Sequence, residues 1–127
     1  MLSEVIDVVQ EVKQAHRKVP ETHALHATLD QLFDDLRAWA GVLIEQDEAR
    51  GISALETMPS VAGRTPPNLW PGSATDEEVR SLIDAHLDRL GQQVAAALVA
   101  QDDEQARTAL STVDRAVRAY REKLSAM

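Results

Sequence analysis

The sequence predicts an all-α fold: a bundle of four helices with one long crossover between the second and the third. Three observations carry that expectation. Four segments space their apolar residues at i, i+3, i+4 and i+7, the period of an amphipathic helix. The helix breakers Pro59, Gly63, Pro66, Pro67, Pro71 and Gly72 crowd into one stretch between Met58 and Ala74. Alanine and leucine are abundant while aromatic residues make up only 3% of the chain, which favours helices packed through small side chains.

The first helix is expected to start at a Ser3 cap and to turn Val5, Ile6, Val9, Val12 and His16 to one face. Pro20 closes it or opens the next. The second helix fills the run from Leu25 to Gly51, with Leu25, Leu29, Leu32, Phe33, Leu36, Ala40 and Leu43 in its apolar stripe. A turn this short makes helices one and two an antiparallel hairpin. His16 and His26 lie almost equally far from a turn centred near Glu21, so they should face each other at one height.

After Gly51 the segment ISALET reads as a fraying helical end, and the proline-rich stretch follows. A connection of that length suits a third helix that starts at the far end and runs parallel to the second. Trp70 beside Pro71 is expected to pin this loop to the bundle. Helix three opens on a capping box, Thr75 with Glu78, and carries Val79, Leu82, Ile83, His86, Leu87, Leu90, Val94 and Leu98 on its apolar face. Asp102 and Asp103 separate it from helix four and supply the next N-cap, and helix four turns Ala106, Leu110, Val113, Val117, Tyr120 and Leu124 inward.

Composition excludes several classes of function. At 127 residues the chain is expected to form a single domain, 1–127. No apolar run approaches a membrane span and no signal-peptide pattern opens the chain, so the expectation is a soluble, cytoplasmic protein. The absence of cysteine leaves only histidine and carboxylate for any metal. The net charge of −8 sets phosphate repulsion against nucleic acid, and the basic residues are interleaved with acidic ones.

Within helix two, His26 and Asp30 stand four apart and so leave the same face. Glu45 lies roughly 22 Å further along the axis, out of reach of the same metal in one chain. An antiparallel crossing of two copies about a dyad near Arg37 would set Asp30 of one level with Glu45 of the other. Helix two also carries apolar residues beyond its core stripe, Trp39 and Ile44, which points to at least a homodimer.

These segments together resemble the Dps family of small ferritin-like proteins. The order KQAHRKV, PETHALHATLD, WAGVLIE and RGISALET is similar to the family's first two helices, TPPNLWP to its crossover, and STVDRAVRAYREKL to its last helix. The resemblance implies a ferritin-like four-helix bundle that assembles into a dodecamer and oxidises and stores iron under stress. It also implies a metal site of His16, His26 and Asp30 from one subunit, with Glu45 from its dyad mate. Gly41 stands where the family has a further ligand Asp, and Arg17 where a Trp is usual. The Lys-rich tail with which some members bind DNA has no counterpart before helix one, so no DNA binding is expected. Ferroxidase activity is expected to be impaired by Gly41, which marks a decayed centre or makes room for close helix packing. The competing reading is a non-enzymatic shell or interaction module. His23 is expected at the surface, His86 as a hydrogen-bonded core residue, and Trp39 in the core or at the dyad.

Overall fold

The computed structural model describes residues 2–49 and 74–127, and all of its regular structure is helical. Four helices follow in order: α1 (Leu2–Lys18), α2 (Ala24–Ala49), α3 (Asp76–Ala100) and α4 (Glu104–Ala126). The expected crossover, the ISALET segment and Trp70 lie outside the described residues.

Two hairpins build the bundle. In the first, α1 ends before Pro20, whose carbonyl accepts the His23 amide at 3.0 Å and turns the chain back along α1. In the second, α3 and α4 are joined by three residues, and the Asp103 carboxylate caps α4 by accepting the Ala106 amide at 2.9 Å. Arg107 closes the other side of this joint, donating to the carbonyls of Leu98 (2.7 Å) and Gln101 (3.0 Å), of which Leu98 also accepts the Gln101 amide at 3.4 Å. At the start of α3, the Thr75 hydroxyl accepts the Glu78 amide at 3.2 Å and bonds the Glu78 carboxylate at 3.1 Å. The expected caps are therefore in place, except that α1 already includes Leu2, so Ser3 is inside the helix rather than at its cap.

The hairpins pack with α1 against α3 and α2 against α4. Glu4 meets Arg89 across the first contact, and Asp35 meets Tyr120 across the second. At one end of the bundle His23, just before α2, bonds Asp76, the first residue of α3, at 2.8 Å. The starts of α2 and α3 thus share an end and the two helices run parallel, each antiparallel to its neighbours.

One core runs the length of the bundle. Leu29, Leu32, Leu36 and Leu43 of α2 are fully buried, as are Ile83, Leu87 and Leu90 of α3. Burying each such side chain stabilises the fold by about 1.5–3 kcal/mol. All six inward residues expected of α4 are buried. Trp39 is in this core, 7% exposed, with its ring edge-on to Tyr120 at 5.9 Å. It therefore leaves Ile44, half-buried, as the apolar surplus of α2, while Phe33, Ala40 and Val42, also half-buried, pack against the core.

The face of α1 is rotated from expectation. Its core stripe is Val5, Val8, Val12 and Ala15, continued by Val19 just past the helix end, while Ile6 and Val9 are half-buried. The stripe also takes in Glu11, 2% exposed, whose Oε2 has no hydrogen-bond partner. The run VIDVV offers two helical stripes, and packing against both α2 and α3 selects the one that continues through Ala15 to Val19.

Candidate metal centre

His16 on the last turn of α1 and His26 on the first turn of α2 meet across the hairpin. Their ring centroids are 3.8 Å apart, with planes inclined at 34°. Asp30 completes the group one turn further along α2. Its Oδ1 lies 2.6 Å from His16 Nε2, and its Oδ2 lies 3.9 Å from His26 Nε2. Among the described residues, this is the group of histidine and acidic side chains whose ligand atoms fall within 4.8 Å of one another.

The backbone fixes the tautomer of His26. Its Nδ1 is 2.9 Å from the carbonyl oxygen of Val19, which can only accept, so Nδ1 carries the proton and Nε2 presents a lone pair toward Asp30. A carbonyl behind a ring nitrogen is the usual orienting partner of a metal-binding histidine. His16 Nε2 is a different case. It is buried, and despite its short distance to Asp30 it lies outside hydrogen-bond geometry and has no other partner. A lone pair and a carboxylate that converge without a proton properly placed between them are satisfied well by a cation.

Dimensions agree with that reading. Two ligands on one metal at about 2.1 Å stand about 3.0–3.4 Å apart, and the observed separations bracket this interval, so small side-chain rotations close the set. Two imidazole nitrogens and one carboxylate suit iron, zinc and other divalent first-row metals better than calcium or magnesium. The Asp30 side chain is 62% exposed and that of His16 33%, so further coordination positions face outward. Glu45 is exposed far along α2 and is not brought to the group by its own chain. Gly41 is exposed as well, and a Cβ built on it meets nothing within 4 Å among the described residues, so their packing does not require glycine there.

The other two histidines are engaged elsewhere. His23 is exposed and paired with Asp76. His86 is buried, and its Nδ1 accepts from Arg89 Nη2 at 2.8 Å, while Nε2 has no partner.

Three polar contacts were not foreseen from the sequence. Arg121 of α4 spans Asp84 (2.9 Å) and Asp88 (2.9 Å) of α3, and the Asp84 hydrogen bond, more than any other influence, pushes the guanidinium further toward its charged form. The Tyr120 hydroxyl donates to Asp35. Burial first, then that bond and the charges of Asp35 and Asp34, push the phenol well above its ordinary range. Arg89 reaches Glu4 at 3.2 Å across the α1–α3 contact. The i, i+4 spacing of Asp84 and Asp88 was the one available signal, but their partner lies on another helix.

A comparison with protein-family models and with curated proteins finds no match for the chain. Among the described residues no helix is long and apolar enough to cross a membrane.

Proposed function

We propose that this chain is an iron-handling protein of the ferritin-like, Dps-like kind, in which His16, His26 and Asp30 bind iron(II) and Glu45 of a second copy completes the site across a dyad. Iron is substrate and cargo in this reading, taken up as iron(II) and held as ferric mineral. The observation that carries it is the convergence of two imidazoles and a carboxylate, one imidazole oriented by the Val19 carbonyl and the other with a buried nitrogen lacking a hydrogen-bond partner. The parallel run of α2 and α3 supports the long crossover on which a ferritin-like bundle depends. The partner is the chain itself, a homodimer at least and a dodecamer in the full family assembly. DNA has no part in the reading, since a net charge of −8 supplies no favourable counterion release. The compartment that fits is the cytoplasm.

The three intrachain donors hold one iron and leave positions open for dioxygen or peroxide, which accept the electrons released as iron(II) becomes iron(III). Gly41 lies one turn before Glu45 and contributes no carboxylate where a second iron would need one. That same absence favours the second reading, an oligomeric shell whose ferroxidase centre has decayed.

Anaerobic iron(II) titration followed by stopped-flow oxidation separates the two. One iron bound per chain, lost in His26→Ala and oxidised on mixing with oxidant, is the expected result. Binding without oxidation above the rate of free iron(II) selects the shell, and no binding removes the iron reading altogether.

A further inference from the structure

Reducing a peroxide takes two electrons, and a site that holds a single iron(II) supplies one of them. An iron(II) that cuts the O–O bond alone releases hydroxyl radical. Few side chains of this protein can yield the second electron, since it has no cysteine and one tyrosine.

That tyrosine has the surroundings a one-electron donor needs. Tyr120 of α4 is 8% exposed, and its hydroxyl donates to the Asp35 carboxylate of α2. The buried ring of Trp39, one turn beyond Asp35, stands edge-on to it with centroids 5.9 Å apart and planes inclined at 71°. Asp35 in turn lies only about 7.5 Å along the α2 axis from Asp30, so the phenol and the metal group share one stretch of helix. Taking an electron from a neutral phenol makes its proton strongly acidic, and a neutral radical forms readily only where a base is waiting. Asp35 is that base, already hydrogen-bonded to the group it must deprotonate. Burial first, and then Asp35 and Asp34, hold the phenol in its protonated form well above the ordinary range, so electron and proton must leave together.

We propose that Tyr120 is the second electron donor when iron(II) held by His16, His26 and Asp30 reduces hydrogen peroxide, with Asp35 as acceptor and store of its proton. The O–O bond breaks and takes one electron from iron(II), which becomes iron(III), and one from Tyr120, which becomes a neutral tyrosyl radical. Both oxygens leave as hydroxide. The next iron(II) to reach the site returns an electron to Tyr120, and Asp35 returns the proton. Two iron(II) are thus oxidised per peroxide on a site that holds one, and no hydroxyl radical is released. The inference rests on the iron reading above and adds to it a donor in the core, shielded from solvent by the packing of Trp39.

Two experiments on the full chain test it. In the metal-free protein, a flash-generated ruthenium polypyridyl oxidant removes one electron, and transient absorption with electron paramagnetic resonance identifies the radical. The expected product is a neutral tyrosyl radical, formed more slowly in heavy water and slowed about tenfold or more in Asp35→Asn. In the second experiment, anaerobic protein carrying iron(II) is mixed with hydrogen peroxide and freeze-quenched, with a spin trap in parallel samples and calorimetry recording iron binding. A tyrosyl signal comparable in amount to the bound iron is expected, with few hydroxyl adducts. Tyr120→Phe should lose that signal and give several-fold more adducts at unchanged iron affinity. Circular dichroism checks that both variants keep their helices. A parent radical found on tryptophan alone, or an Asp35→Asn rate equal to the parent's, overturns the proposal. Iron bound and oxidised with no tyrosyl signal also overturns it, while leaving the metal site standing. No iron bound at all overturns it together with the iron reading.

Discussion

The two hairpins of this bundle solve the same electrostatic problem in opposite ways. On α3 and α4, Asp84 and Asp88 are one turn apart and the Arg121 guanidinium lies between them, so the acids are neutralised by a group of the chain itself. On α1 and α2, Asp30 faces two imidazoles, one bound from behind by a carbonyl and the other with its Nε2 close to the carboxylate but outside hydrogen-bond geometry. The first arrangement is closed, with every strong acceptor given a donor. The second presents lone pairs and charge to a common point near the surface. The difference teaches that a polar cluster reads as structural or ligand-binding by its balance of donors and acceptors, more than by its count of acids.

Supplying the open hairpin with its own cation should break the contrast most sharply. His16→Arg places a guanidinium beside Asp30, and iron(II) affinity measured by anaerobic titration should fall by a hundredfold or more while circular dichroism stays helical. Retained binding would show that His16 is not a ligand.

The next largest effect belongs to the contact that ties the hairpins together. Tyr120→Phe leaves the Asp35 carboxylate without its donor and should cost about 1–2 kcal/mol in urea unfolding. The same residue sets an alkaline limit. The folded state holds the phenolic proton more tightly than the unfolded chain does. Its contribution is therefore fully present below pH 10.0, the ordinary value, and declines as the pH rises beyond it toward the raised one. Because the chain has one tyrosine, the ultraviolet phenolate band reports this group alone. It should appear above pH 10.0 together with loss of helix, and the corresponding loss of stability should be absent from Tyr120→Phe.

Gly41→Ala sharpens the comparison from the outer face of α2. Mid-helix glycine costs about 1 kcal/mol relative to alanine, and among the described residues no atom obstructs a Cβ there. In chelator the variant should unfold about 1 kcal/mol later than the parent. An unchanged or lower midpoint would mean that the glycine serves the bundle after all. The smallest effect is expected for Arg121→Met. All three side chains of that cluster are more than a third exposed, so its loss should cost under about 1 kcal/mol, and less still in high salt.

Much of this architecture was legible in the sequence because it follows from local rules. The inward positions of α4, the Thr75 and Asp103 caps, and the meeting of His16 with His26 depend on helical period, cap chemistry and a short turn. Asp30 was legible for the same reason, one turn along from His26. What escaped depends on the rotation of each helix about its axis. The core stripe of α1 passes through Val8 and Ala15 rather than Ile6 and Val9, and it buries Glu11, which no periodicity rule would place inside. The bonds from Asp35 to Tyr120 and from Arg121 to Asp84 link helices whose mutual rotation is set by the whole core. Glu45 is a case of another kind, since its proposed partner is in a second copy of the chain.

The placement of the His16, His26 and Asp30 group within the first hairpin has a consequence in time. The bond from His26 to Val19 spans 7 residues of chain, whereas the Tyr120–Asp35 bond that docks the hairpins spans 85. Loop-closure entropy therefore favours the former by about 2 kcal/mol. The metal ligands should assemble while the second hairpin is still undocked, among the earliest tertiary contacts the chain makes. A divalent ion present during refolding would then act on the nucleus as well as on the finished protein, and the folding limb of a chevron plot should rise with its concentration.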